Sequence, residues 1–159
     1  VKTFPGIDGE RDNRITIDDN ANVYITGSFY GTQSYSTTTL TSNGGFDIFV
    51  LKLDSAGNQI WVRSAGGILD DRGNSITVDG NQDVYVTGEF RDIVVFGLDT
   101  VNNYGGPNGR DIFVAKISKS GKIDLTFCRN EFKIGYLKNE DKLQSDRFPA
   151  IRRFSVLGC

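Results

Sequence analysis

Two short runs hold the residues best suited to chemistry. Asp18-x-Asn20-x-Asn22 and Asp79-x-Asn81-x-Asp83 alternate side-chain oxygens at the spacing that opens a calcium loop. Oxygen ligands so spaced suit a hard cation. These six residues are therefore a candidate site for weakly bound calcium, the one cofactor the sequence suggests. Both runs lack the glycine and the distal acid that complete such a loop. Asp and Asn are also the residues a tight turn selects on backbone grounds alone. The pattern is compatible with a cation loop and with a plain turn.

Other chemistries are poorly provided for. The chain has no histidine, which removes His-based acid–base catalysis, Ser-His-Asp and Cys-His nucleophile systems, and His metal ligands. Cys128 and Cys159 lack the spacing of a thiolate zinc site; one disulfide and two free thiols are both open. The glycines of GGFD (Gly44 to Asp47) and GGPNGRD (Gly105 to Asp111) precede strand-like runs, whereas phosphate cradles open helices. Asp70-Asp71-Arg72 and Gly9-Glu10-Arg11 place an acid beside an arginine twice. Paired carboxylates hydrolyse glycosides without histidine, which leaves a carboxylate-dependent polysaccharide enzyme as an alternative. A pair that recurs points instead to structure, because an active site is built once. The chain reads as non-catalytic.

These residues are positioned by a repeat. Ile15 to Phe29 (ITIDDNANVYITGSF) returns as Ile76 to Phe90 (ITVDGNQDVYVTGEF) with 9 of 15 positions identical, 61 residues on. Asp47 to Trp61 returns as Asp111 to Leu125 in the same order, 64 residues on. Each unit offers four strands. Arg14 to Asp18 and Ser75 to Asp79 come first, and an Asp/Asn turn leads to Val23 to Phe29 and Val84 to Phe90. A long Ser/Thr/Gly/Asn connection follows, in which Tyr35 and Phe96 hold equivalent places and turn inward. The third strand is DIFVLKL or DIFVAKI. Phe49, Leu51 and Leu53 line one face and Ile48 and Val50 the other, which predicts a sheet covered on both sides. The fourth, Gln59 to Ala65, carries Trp61. The expected fold is all-β: four-stranded antiparallel meanders in tandem, of the size of a propeller blade. Tyr24, Tyr85, Phe49, Phe113 and Trp61 are expected in the core, with a sugar platform as the other use for them. A unit this short cannot bury its own apolar faces and must stack on its copies.

The run D-R-G-N-S-I-T-V-D-G-N-Q-D-V-Y-V-T-G-E-F, followed by D-I-F-V-x-K and S-x-G-N/K, resembles the SBBP-type β-propeller repeat of bacterial and archaeal surface proteins. The resemblance spans about Val1 to Cys128. It implies propeller blades and an extracellular or cell-surface setting, and it brings no catalytic residues. The expected units are residues 1–66, a first blade with a preceding partial strand (VKTF, Val1 to Phe4); 67–128, a second blade; and 129–159, a non-repeat tail open to three readings: a cap on the last blade, a partner-binding arm, or a sequence unrelated to the repeats. Leu125 stands where the first copy has Trp61.

Composition agrees. Eleven Phe, six Tyr and one Trp among many Gly, Thr and Asn favour strands and turns. A net charge of −2 gives no field to draw nucleic acid or anionic lipid. No apolar run is long enough to span a bilayer. No methionine opens the chain, so a removed leader or a longer parent is expected. Closed propellers have about four to eight blades, so two blades call for completion by other copies of the chain or by missing blades. The expected role is a non-catalytic binding or scaffolding module of a secreted or cell-surface prokaryotic propeller protein, with a protein or glycan ligand. The alternative is a structural subunit that assembles head-to-tail into a ring or filament.

Overall fold

A computed structural model describes residues 11–103 and 109–128. The strand expected at Val1 to Phe4, the Gly9-Glu10 pair, the 129–159 tail and Cys159 lie outside the described residues.

The described chain is strands and turns throughout. The first unit contains β1 (Arg11–Ile17), β2 (Val23–Phe29), β3 (Thr32–Tyr35), β4 (Thr38–Thr41), β5 (Asp47–Leu53) and β6 (Gln59–Gly66). The second repeats the plan with β7 (Arg72–Val78), β8 (Val84–Phe90), β9 (Ile93–Phe96), β10 (Asp99–Asn102), β11 (Asp111–Ile117) and β12 (Ile123–Cys128). Strands β1-β2-β5-β6 form one antiparallel meander and β7-β8-β11-β12 another. The first strands begin earlier than the sequence reading placed them, at Arg11 and Arg72. The extra residues pass through register shifts between Arg11 and Arg14 and between Gly73 and Ser75, which break the alternation that marks a strand in sequence.

Four turns at one end of the sheets share a single geometry. The carbonyls of Asp18, Asp54, Asp79 and Ser118 accept hydrogen bonds from the N–H three residues on, at 2.8–2.9 Å. The residue donating that bond, Ala21, Gly57, Gln82 or Gly121, has φ of 59°, 79°, 66° or 84°. This is a tight turn followed by a left-handed residue, which matches the right-handed twist of the strands it joins.

The long connections depart from expectation. Each is a hairpin, β3–β4 or β9–β10, rather than a loop. These four-residue strands are too short for periodicity to identify, and β3 and β4 are polar besides. Tyr35 and Phe96 do turn inward, onto Phe49 and Phe113 at ring separations of 5.6 and 4.8 Å. The second hairpin also reaches across the repeat boundary. β9 pairs with β6 at Ala65↔Phe96 and Gly66↔Val95, so that the first sheet has six strands in the order β1-β2-β5-β6-β9-β10.

The units pack face to face, with β7 over β1, β2 and β5. One core joins them: Ile48, Val50 and Trp61 of the first unit meet Val86, Phe113 and Ile117 of the second. A second core, with Phe49, Leu51 and Leu53, lies on the other face of β5 beside Tyr35 and Leu40 of its own hairpin. β5 is thus covered on both faces, as its composition predicts. β11 is not: Ile112 and Val114 are 56% and 36% exposed. Its sequence allows two covered faces, but no further blade follows it among the described residues.

Candidate functional site

The predicted calcium residues sit in two of the four equivalent turns. Asp18 Oδ1 accepts the N–H groups of Asn20 and Asn22, both at 2.9 Å. Its Oδ2 accepts Asn22 Nδ2 and the Tyr24 hydroxyl, also at 2.9 Å. Burial alone would raise this carboxyl, but the bonds from Asn22, Tyr24 and Asn20 outweigh it and hold it below the usual range. Asp79 repeats the pattern with Asn81, Asp83 and Tyr85. Asp83 turns aside to Lys116 Nζ at 2.7 Å. Both aspartates therefore present their oxygens to donors of their own turn. Among the described residues no group of three or more Asp, Glu, His or Cys is arranged to hold a metal ion.

A second acidic group lies at the other end of the sheets, where the chain leaves β6 through Gly66-Gly67. Asp71 is fully buried; it accepts the Gly67 N–H at 2.8 Å and the Arg91 N–H at 3.0 Å. Asp70 accepts the Phe46 N–H at 3.1 Å. Asp47 is also buried and accepts the Asn43 N–H through Oδ2 at 3.1 Å, while its Oδ1 has no partner. Burial pushes the Asp47 carboxyl up to about 6, against the opposing bond from Asn43. Burial likewise pushes Asp71 up to about 7; its two N–H bonds oppose this, and the nearby Asp47 and Asp70 carboxylates add to it. Two raised carboxyls resemble an acid–base pair; both are buried among the described residues. Their work is local: they order the loops on which β9 meets β6. The approach is too close for a side chain, because a Cβ on Gly67 would lie 1.8 Å from the Ile93 carbonyl oxygen.

The contacts between the blades supply the most specific chemistry. Trp61 Nε1 donates to the Lys119 carbonyl at 3.1 Å, and Arg63 Nε donates to the Gly121 carbonyl at 2.6 Å. Gly121 lies on the indole, where a Cβ would sit 3.0 Å from the ring. Lys52 Nζ reaches Gln82 Oε1 at 3.4 Å and lies 5.0 Å from the Tyr24 ring centre. Two neighbouring side chains of β6 thus grip the β11–β12 turn by its backbone carbonyls. Sequence reading placed Trp61 in the core and did not single out Arg63. The signal available was the pair Trp61-x-Arg63, present in the first copy and replaced by Leu125-x-Phe127 in the second. Of the five aromatics named from sequence, Tyr24, Phe49, Phe113 and Trp61 are buried and Tyr85 half-buried, so no open sugar platform forms from them. A void of about 10 Å³ between the blades, lined by Ile48, Val50 and Phe113, has room for about one water and not for an organic ligand.

Comparison with known proteins agrees with this geometry. An uncharacterised WD repeat-containing protein of Acanthamoeba polyphaga mimivirus is 31% identical over 86 residues, which cover 48% of this chain and 6% of that protein. The chain therefore spans only a small part of the relative's length. The profile of the SBBP β-propeller repeat family matches residues 60–89, from β6 through the first hairpin of the second blade. The described residues are thus all-β, in antiparallel sheets, and residues 60–89 of them match the SBBP β-propeller repeat.

Proposed function

We propose that this chain is a non-catalytic scaffolding and binding module from a secreted or cell-surface β-propeller protein, and that its place is in a longer series of blades. One observation carries the reading. Ile15 and Ile17 of β1 are 67% and 64% exposed, while Ile76, the repeat equivalent of Ile15, is 8% exposed beneath the first blade. A surface that is core in one copy and open in the next belongs to a stack that continues. Enclosure of Asp47 and Asp71 favours a scaffold over a polysaccharide-cleaving enzyme. The extracellular setting follows from the family resemblance, and a protein or glycan ligand would meet the exposed turns rather than the closed seam.

The test is a comparison of the intact chain with one extended by its neighbouring sequence. The extended protein is expected to gain thermal stability and to protect the β1 amides from exchange. No change in β1 protection would overturn the scaffold reading. Hydrolysis of a polysaccharide, abolished by Asp47→Asn or Asp71→Asn in a folded protein, would replace it with the enzyme reading.

A further inference from the structure

The two blades place different side chains at one corner of the sheet. Tyr30 follows β2 and Phe46 precedes β5, so they stand opposite one another just beyond the last pair of those strands, Phe29↔Asp47. Their rings lie 5.8 Å apart, Arg11 sits 4.8 Å from the Phe46 ring centre, and Tyr30 is 55% exposed. At the same positions the second blade has three arginines: Arg72 for Arg11, Arg91 for Tyr30 and Arg110 for Phe46. Arg91 and Arg110 likewise flank the last pair of β8 and β11, Phe90↔Asp111. Arg72 Nη1 lies 3.9 Å from Glu89 Oε1, and Arg110 Nη1 is bonded to that same oxygen. Arg91 forms no ion pair among the described residues, and its Nε is buried without a partner.

Asp70 and Asp71 join the aromatic set to the basic one. The Phe46 carbonyl accepts the Asp71 N–H at 2.6 Å, and Asp71 Oδ1 accepts the Arg91 N–H at 3.0 Å. Asp70 Oδ1 accepts the Phe46 N–H at 3.1 Å. An exposed tyrosine thus adjoins a cluster in which two guanidiniums share one carboxylate oxygen and a third has none. Like charges opposite one another destabilise a strand pair, so Arg91 facing Arg110 is a costly way to end one. A bound anion offsets that cost. The planar guanidinium fork matches a carboxylate, and Glu89 shows a carboxylate already held between two of these arginines. A tyrosine ring with an open face suits the C–H face of a sugar. Half-buried Asp70, at the junction, can accept a sugar hydroxyl through its second oxygen.

We propose that this corner binds an acidic polysaccharide, with a uronate carboxylate on Arg91 and Arg110 and a neighbouring sugar ring on Tyr30. This rests on the scaffolding and binding reading and names its ligand class. Single-stranded nucleic acid is the poorer occupant. A net charge of −2 gives its phosphates no attracting field, and Asp70 would repel them.

The experiment titrates the intact chain, by calorimetry, with an oligogalacturonate and in parallel with a neutral cello-oligosaccharide and a single-stranded oligothymidylate. Binding of the uronate alone, weakening as salt is raised, is the expected result. Arg91→Gln and Tyr30→Ala are each expected to weaken it by about tenfold. Should Arg91→Gln fail to fold, Arg110→Gln takes its place, since that side chain is 34% exposed. No binding of the uronate would overturn the site and leave the scaffold reading in place, which the protection of β1 tests by itself. Binding that the tyrosine and arginine variants leave unchanged would overturn the site equally. Equal binding of the neutral sugar would overturn the role of the arginines, and tighter binding of the oligonucleotide would overturn the glycan assignment.

Discussion

Asp-Ile-Phe-Val opens the third strand of both blades and meets two environments. In β5, Ile48 is 1% exposed in the core between the blades. In β11 the equivalent Ile112 is 56% exposed, because the face it occupies has no neighbour among the described residues. Phe49 and Phe113, on the opposite faces, are both buried, each beneath the aromatic of its own hairpin. At the third strand the phenylalanine is thus capped by its own hairpin and the isoleucine depends on the next blade, while β1 on the Phe49 side leaves Ile15 and Ile17 exposed. Stability in such a stack belongs to neighbours as much as to units.

The largest expected effect tests this directly. Ile48→Ala should destabilise the protein by about 2–5 kcal/mol, the usual range for emptying a packed aliphatic site. Ile112→Ala should stay within about 0.5 kcal/mol, as for a surface position. Urea midpoints of the two variants measure the difference. Similar losses would mean that the Ile112 face is covered in solution.

Next in size is the grip on the turn. Trp61→Leu gives the first blade the residue of the second and removes both the donor to Lys119 and the packing on Tyr24, whose ring centre is 6.4 Å away. A loss of about 2–3 kcal/mol is expected, with faster exchange in the Ser118–Lys122 turn. A loss confined to global stability, with no local change in that turn, would assign Trp61 to general packing alone.

The sequence made the blades legible because period-2 strands, Asp/Asn turns and an ordered repeat all agree. β5 could be read as covered on both faces because every residue from Ile48 to Val50 is apolar. The same reasoning overstated β11, since composition records what a face tolerates and not whether a neighbour arrives. β3 and β9 were missed for a different reason. TQSY and IVVF differ so much in polarity that no shared pattern marks them, and the pairing of β9 with β6 is a tertiary event. The gripping role of Arg63 was equally silent, because its acceptor in the turn is the Gly121 backbone carbonyl, 58 residues away, which leaves no imprint on side-chain identity.

The seam at Gly66-Gly67 should respond to pH. Asp47 and Asp71 bind protons more tightly folded than unfolded. Their contribution is thus fully present below the ordinary carboxylate range near ~4. It is lost as pH rises through about 6 for Asp47 and about 7 for Asp71. Stability is expected to fall from pH 5 to pH 8, by about 4 kcal/mol as an upper figure, and Asp47→Asn should flatten the lower part of that decline. A variant with the wild-type slope would place the titrating group elsewhere.

The four equivalent turns allow a finer comparison. Ala21 and Gln82 occupy the left-handed position that Gly57 and Gly121 fill without strain. Ala21→Gly should therefore stabilise by about 0.5 kcal/mol, the relief of strain being partly offset by the freer unfolded chain. Gln82→Gly should gain less, because it also loses the contact with Lys52.

The smallest expected effect is none at all, and it concerns calcium. Asp18 accepts four hydrogen bonds from its own turn, two at each oxygen. A cation at this carboxylate would have to displace the Asn22 and Tyr24 donors, and it would find neither the glycine nor the distal acid of a calcium loop. Asp18→Ala should thus cost about 1 kcal/mol through the lost cap bonds, with or without calcium. Excess chelator should leave the melting temperature of the parent unchanged, since a ligand stabilises only what it binds. A chelator-sensitive shift of several degrees, absent when Asp18→Ala and Asp79→Ala are combined, would make these turns cation sites and leave their self-capped geometry as the metal-free form.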